Sequence, residues 1–210
     1  MTNLLGNWLD AKSAKMLAEV AKQKGISLCG IRRDQTSADF SSQNLQPPDA
    51  ILLASDLSQA IVTGGLTSLN LFNNQLCGLD DYGIGTYTAE GITAISDAMR
   101  VNGLLTALDL SSNYLTDEGV SAVCEAIQSN KETKLTSLNL GDNEIGPVGA
   151  NAVAAMVVVT GSLTSINLSK NKLCGVWTDD DGEQQGTYTA EGITAIADAL
   201  RVNGGLTEVR

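Results

Sequence analysis

LTSLNLGDNEI, residues 135–145, alternates apolar and small polar residues, turns at an asparagine and closes on an isoleucine. The same frame, L-x-x-L-x-L-x-x-N-x-L, recurs as LTSLNLFNNQL (66–76), LTALDLSSNYL (105–115) and LTSINLSKNKL (163–173), with asparagines at 74, 113, 143 and 171. Period-two alternation marks a short strand with one buried face. The Asn is expected to turn the chain out of that strand, its side chain pairing backbone groups that the bend leaves bare. Downstream, Val120, Val123, Cys124 and Ile127 fall at i, i+3, i+4 and i+7, the stripe of a helix packed on the sheet. Parallel strands stack about 4.8 Å apart and helices about 8–10 Å apart, so the stack must bend with its strands inside.

Four matches in one frame resemble the leucine-rich-repeat family, and the long helix after each strand is similar to ribonuclease-inhibitor-like repeats. The resemblance implies an α/β leucine-rich-repeat solenoid, a short horseshoe with parallel strands on the concave face and helices on the convex face. One solenoid is expected over residues 1–210: a partial repeat at 1–25, repeats at 26–65, 66–104, 105–134, 135–162 and 163–205, and a partial repeat at 206–210. In the degenerate 26–65 unit, Ile26, Cys29 and Ile31 are read as inward residues, Asp34 as the substitute for Asn and Leu45 as the closing Leu. Leu4, Asn7 and Leu9 match the tail of an earlier motif, and Leu206 and Val209 the start of another.

Motif starts at 26, 66, 105, 135, 163 and 206 are 40, 39, 30, 28 and 43 residues apart. The three long spacings place extra residues between strand and helix: QTSADFSSQN with QPPDA, then CGLDDYGIGTYT, then CGVWTDDDGEQQGTYT. These inserts should project at the edge where strand turns to helix. GTYTAEGITAI occurs at 85–95 and again at 186–196, and is read as a duplicated helix entry. Thr88 and Thr189 suit an N-cap, and Glu90 and Glu191 complement the positive helix end.

Composition narrows function. A net charge of −11 repels phosphate backbones and argues against nucleic acid as a partner. The chain has no histidine, which removes the usual near-neutral acid/base and the commonest metal ligand. No P-loop, nucleophile elbow or paired-carboxylate motif is present, so a non-catalytic protein is expected, with no cofactor. The acidic insert DDDGEQQG lacks EF-hand spacing and reads as a solvated loop. No apolar run is long enough to span a bilayer, and MTNLLGNWLDAKSAK does not read as a secretory signal. Cys77 and Cys174 occupy one repeat position three units apart, about 15 Å at the strand spacing and too far for a bridge. Cys29 and Cys124 read as core fillers. Four unpaired thiols fit an intracellular, reducing compartment.

Candidate contact residues follow from frame and chemistry, since binding hot spots favour Trp, Tyr and Arg. On the concave face Arg32, Arg33 and Phe72 stand out among small polar residues, with Asp109 and Asp142 as acidic contacts. Trp8 and Tyr114 align with polar Gln75 and Glu144 and are expected to face outward. Tyr87 and Tyr188 are read as folding each insert back onto the solenoid. Trp177, with no counterpart, is the insert's contact candidate. The resemblance implies protein partners, engaged within a larger assembly or through exposed solenoid ends. A scaffold or accessory subunit is the first expectation; an inhibitor or sensor using the concave face is the alternative.

Overall fold

The computed structural model describes residues 2–80, 82–179 and 181–210, with Ala60 and Ile61 as backbone only. Six short strands, β1 (Ser37–Asp39), β2 (Ser68–Asn70), β3 (Ala107–Asp109), β4 (Ser137–Asn139), β5 (Ser165–Asn167) and β8 (Glu208–Val209), form one parallel sheet in that order. Register is exact in repeat frame: Leu69 faces Leu108, Leu108 faces Leu138, Leu138 faces Ile166 and Ile166 faces Val209. Their flanks, such as Ser68 and Asn70, are half-buried on the other face. The expected period of two is thus realised as a row of apolar side chains pointing at the helices.

The helices are α1 (Ala11–Lys24), α2 (Pro47–Leu57), α3 (Ala60–Thr63), α4 (Glu90–Met99), α5 (Thr116–Ser129), α6 (Pro147–Val159) and α7 (Glu191–Val202). The remaining strands, β6 (Val176–Thr178) and β7 (Gln184–Gly186), pair as an antiparallel hairpin in the last insert. Helices α1, α2, α4, α5, α6 and α7 pack in sequence, each on the next. One apolar cluster runs from Ala14 to Ala199 and takes in the whole inward row from Ala38 to Ile166. Parallel strands with a helical layer behind them make this an α/β leucine-rich-repeat solenoid.

Helices α4, α5, α6 and α7 each start close against the helix before them, and Gly91, Gly119, Gly149 and Gly192 permit it. Gly149 lies where a Cβ would come 2.6 Å from Asp117 Oδ1, Ile145 Cγ2 and Val120 Cγ1. Its N–H and that of Gly146 donate to Asp117 Oδ1 at 2.8 and 2.7 Å, so a carboxylate from the preceding repeat caps α6. Pro147 occupies the first turn of α6, where a missing N–H costs little. Threonines form a ladder where the chain enters the strands. The hydroxyls of Thr67, Thr106, Thr136, Thr164 and Thr207 donate to the carbonyls of Thr36, Thr67, Thr106, Thr136 and Thr164 at 3.0–3.2 Å.

The first repeat departs from expectation. Strand β1 pairs Ser37 with Ser68 and Ala38 with Leu69, so its frame begins at Gln35, and Ile26 is exposed instead of inward. The segment QTSADFSSQNL is therefore a repeat motif and not an insert. Gln35, Ala38, Phe40 and Gln43 replace the motif's Leu, Leu, Leu and Asn, which hid it. Leu28, Cys29 and Ile31 remain buried, in the connection that precedes β1.

Candidate protein-binding edge

The loops leaving the strands are held by a ladder of buried amides. Asn143 Oδ1 accepts the N–H groups of Asn113 and Leu115 at 2.9 and 3.3 Å, while its Nδ2 donates to the carbonyls of Leu110 and Gly141. Asn171 repeats this toward Asn143 and Ile145, and Asn74 toward Gln43 and Leu45. Residues before each Asn take left-handed backbone, Asn73, Ser112, Asp142 and Lys170 at φ 54–56°. Several residues after it do the same, Tyr114 at 54° and Glu144 at 60°. Two rows of side chains consequently stand on either side of the buried amides.

Between those rows lies a cleft of about 250 Å3 lined by Phe72, Asn73, Ser112, Tyr114, Asp142 and Glu144. Three of the expected contact residues, Phe72, Tyr114 and Asp142, thus meet at one place although they come from three repeats. Phe72 is 41% exposed. Asp142 accepts a hydrogen bond from Ser112 Oγ at 3.0 Å. The surface continues into the next repeat, where Lys172 pairs with Glu144 and rests 4.2 Å over the Trp177 ring.

Both tyrosine-containing inserts are hairpins on this edge. Leu79 bridges Gly85 in the first, and β6 pairs with β7 in the second. Each turn is closed by one aspartate. Asp80 Oδ1 accepts the N–H groups of Tyr82 and Ile84, and Asp179 Oδ1 those of Asp181 and Glu183. Hydrogen bonds from the Gln185 amide and the Glu183 backbone hold the Asp179 carboxyl below the usual range. Asp80 and Asp179 are thereby engaged in turn closure; Asp81 and Asp180 lie outside the described residues. Among the described residues no group of three or more Cys, Asp or Glu is placed to hold a metal ion.

The concave face is a shallow trough of short polar side chains, Ser68, Asn70, Asp109, Ser137, Asn139 and Asn167 among them. Asp109 lies in this trough and not in the cleft. Its Oδ1 accepts from Ser111 N and Oγ at 2.9 and 2.5 Å, and its Oδ2 from Asn139 Nδ2 at 2.9 Å. The carboxylate is committed to closing its own loop and tying β3 to β4.

A leucine-rich-repeat family model matches residues 101–124 and 131–154. Ribonuclease inhibitor of Sus scrofa is 36% identical over 84 residues, 40% of this chain and 18% of that protein. The inhibitor of Mus musculus is 33% identical over 101 residues, 47% and 22% of the two chains. Leucine-rich repeats are thus present in this chain. It is similar as well to NACHT, LRR and PYD domains-containing protein 12 of Mus musculus, 34% identical over 79 residues, 38% of this chain and 7% of that one. The leucine-rich-repeat chain spans about a fifth of the length of the two inhibitors it matches.

Other expected contacts of this leucine-rich-repeat protein are scattered. Trp8 has φ 53° and is 89% exposed; its left-handed backbone matches Tyr114 and Glu144, as its alignment with them requires. Arg32 and Arg33 are off the concave face. They precede β1, and the Arg33 carbonyl lies against Gly65 at the entrance to β2, on the edge opposite the cleft. The reason is the misplaced first repeat. Sequence reading passed over Ile84 as a contact and held Tyr82 as only one insert aromatic, yet they are 70% and 86% exposed at the first hairpin's tip. The signal was available, since both flank Gly83 in a polar turn.

Proposed function

We propose that this chain is a non-catalytic protein-binding module, a scaffold or accessory subunit, which docks its partner along the strand-exit edge. The observation that carries the reading is the convergence of Phe72, Tyr114 and Asp142 on one cleft, continued by Lys172 and Trp177. Large exposed aromatics beside a half-open cleft have the composition of binding hot spots. Trp8, Tyr82 and Ile84 extend the apolar surface of the chain, and Trp8 carries the cost of left-handed backbone while its side chain is 89% exposed. The likeness to ribonuclease inhibitor and NACHT-domain proteins supports protein partners as the class. Absence of nucleic-acid binding follows from the charge, and an intracellular setting from the thiols; both belong to this proposal.

The inhibitor or sensor reading places the partner in the concave trough, across Asp109 and toward Arg210. Its polar groups are largely paired with one another, which favours the edge. A benzophenone side chain placed at Phe72 or at Tyr82 should photo-crosslink one and the same protein in native extract, and at Val158 on α6 should not. Crosslinking from Ser137 alone would move the site to the trough, and none from any position would remove the proposal.

A further inference from the structure

The cleft suits a cationic side chain. It is lined by two aromatic rings and two carboxylates and by no lysine or arginine. Its volume of about 250 Å3 falls below the roughly 300–1,000 Å3 of small-molecule pockets, which fits one side chain better than a cofactor. Asp142 has no ion-pair partner among the described residues. A net charge of −11 adds a long-range pull on cations.

One repeat further along, the protein makes the same kind of contact with its own chain. Lys172 lies over the Trp177 ring and pairs with Glu144, so an ammonium is held between an aromatic face and a carboxylate. Ring and carboxylate together hold a cation better than either does, because the ring's negative face adds to the charge attraction. Phe72, Tyr114 and Asp142 offer those two ingredients beside it, and no side chain lining the cleft supplies the cation. The trough and the hairpin tips lack the combination: the trough residues carry no aromatic ring, and the Asp80 and Asp179 carboxylates are taken up by backbone N–H groups.

We propose that the Phe72–Tyr114–Asp142 cleft is a recognition site for a single arginine or lysine side chain on an exposed segment of the partner protein. This rests on the docking edge proposed above and narrows it to a basic partner segment.

The test is an NMR titration of the isotope-labelled chain with the blocked peptide Gly-Gly-Arg-Gly-Gly and its citrulline counterpart, which keeps shape and loses charge. The arginine peptide should shift the amides of Phe72, Asn73, Ser112 and Asp142, and the citrulline peptide should bind about tenfold more weakly. Asp142→Asn and Phe72→Ala should each weaken arginine binding about three- to tenfold, with amide spectra otherwise native. Glu125→Gln, on the solvent face of α5, removes the same charge and should leave binding unchanged. Equal binding of citrulline, no binding of either peptide, or equal shifts at the Asp179–Glu183 turn and at the cleft would overturn the proposal. The Tyr82 crosslink separates the two ideas. Its persistence with a peptide-silent cleft keeps the edge and discards the cation, whereas its loss with a responsive cleft does the reverse.

Discussion

The backbone N–H of Asn113 donates to the side-chain oxygen of Asn143 at 2.9 Å, and through that bond one repeat fixes the loop of the one before it. Asn143 satisfies four backbone groups at once, two N–H and two carbonyls, all away from water. Asn143→Ala strands the two N–H groups, whereas the Leu110 and Gly141 carbonyls keep Asn113 Nδ2 and the Ser112 N–H as donors; each buried unpaired group costs about 1–3 kcal/mol. Urea unfolding should show a loss of at least ~2 kcal/mol. Asn151→Ala, on the exposed face of α6, should not lower stability.

Gly149→Ala tests the close approach of neighbouring helices. An added methyl meets three atoms at 2.6 Å, in side chains that are themselves packed. Overpacking of this kind costs about 1–3 kcal/mol, more than the ~1 kcal/mol that alanine gains over glycine within a helix. Net destabilisation is expected in thermal or urea melts. Gly161→Ala places its methyl in open space and should be neutral or slightly stabilising.

Asp56 gives a pH dependence of unusual sign. Its carboxylate is buried and accepts Ser27 Oγ at 2.7 Å and the N–H groups of Leu28 and Cys29 at 2.9 and 3.1 Å. Burial, opposed by those hydrogen bonds, raises its pKa above 3.8. The folded chain therefore binds this proton more tightly than the unfolded one. The stabilising contribution is complete below the ordinary aspartate value and is lost as pH rises through the raised one. Asp10, Asp39 and Asp179 are shifted downward and act in the opposite direction, so the difference between wild type and Asp56→Asn isolates the buried group. The wild type should lose stability relative to the variant from pH 3.8 upward; a difference constant with pH would refute this.

Most of the fold was legible because its signal is repeated. Leu69, Leu108, Leu138 and Ile166 stand in one spacing with their asparagines, and each copy reinforces the others. Ala38 sits in the same row and was missed, since alanine carries little apolar signal and Gln43 stands where Asn is expected. The threonine ladder was visible as an unvarying second position in LT, but nothing in a strand pattern says that a hydroxyl will reach the preceding repeat. At the edge, frame alone placed Phe72, Tyr114 and Asp142 on neighbouring loops. Their meeting in one cleft depends on the left-handed residues flanking the Asn, a backbone property that side-chain identity does not encode. The Lys172–Trp177 contact depends on a hairpin whose length has no repeat to compare with.

The thiols should divide three to one. Cys29, Cys77 and Cys124 are buried, and burial pushes the last two up to about 12. Thiolate is the reactive form, so these three should resist alkylation in the native state at pH 8. Cys174 is partly exposed and should label first. Mass spectrometry after brief iodoacetamide treatment should find a single modification at Cys174, and four after unfolding.

The duplicated segment supplies its own control. Tyr87 donates its hydroxyl to the Leu115 carbonyl at 2.9 Å and accepts from Thr116 Oγ1 at 3.0 Å, tying the first hairpin to the following repeat. Tyr188 has identical flanking sequence and is 66% exposed. Removing a hydroxyl that bonds both the Leu115 carbonyl and Thr116 costs about 1 kcal/mol, whereas an exposed hydroxyl bonds equally well to water. Tyr87→Phe should lower stability by about that amount and speed amide exchange through residues 78–86. Tyr188→Phe should do neither. If both variants behave alike, the contact with the next repeat is not what orders the insert, and the eleven residues order themselves.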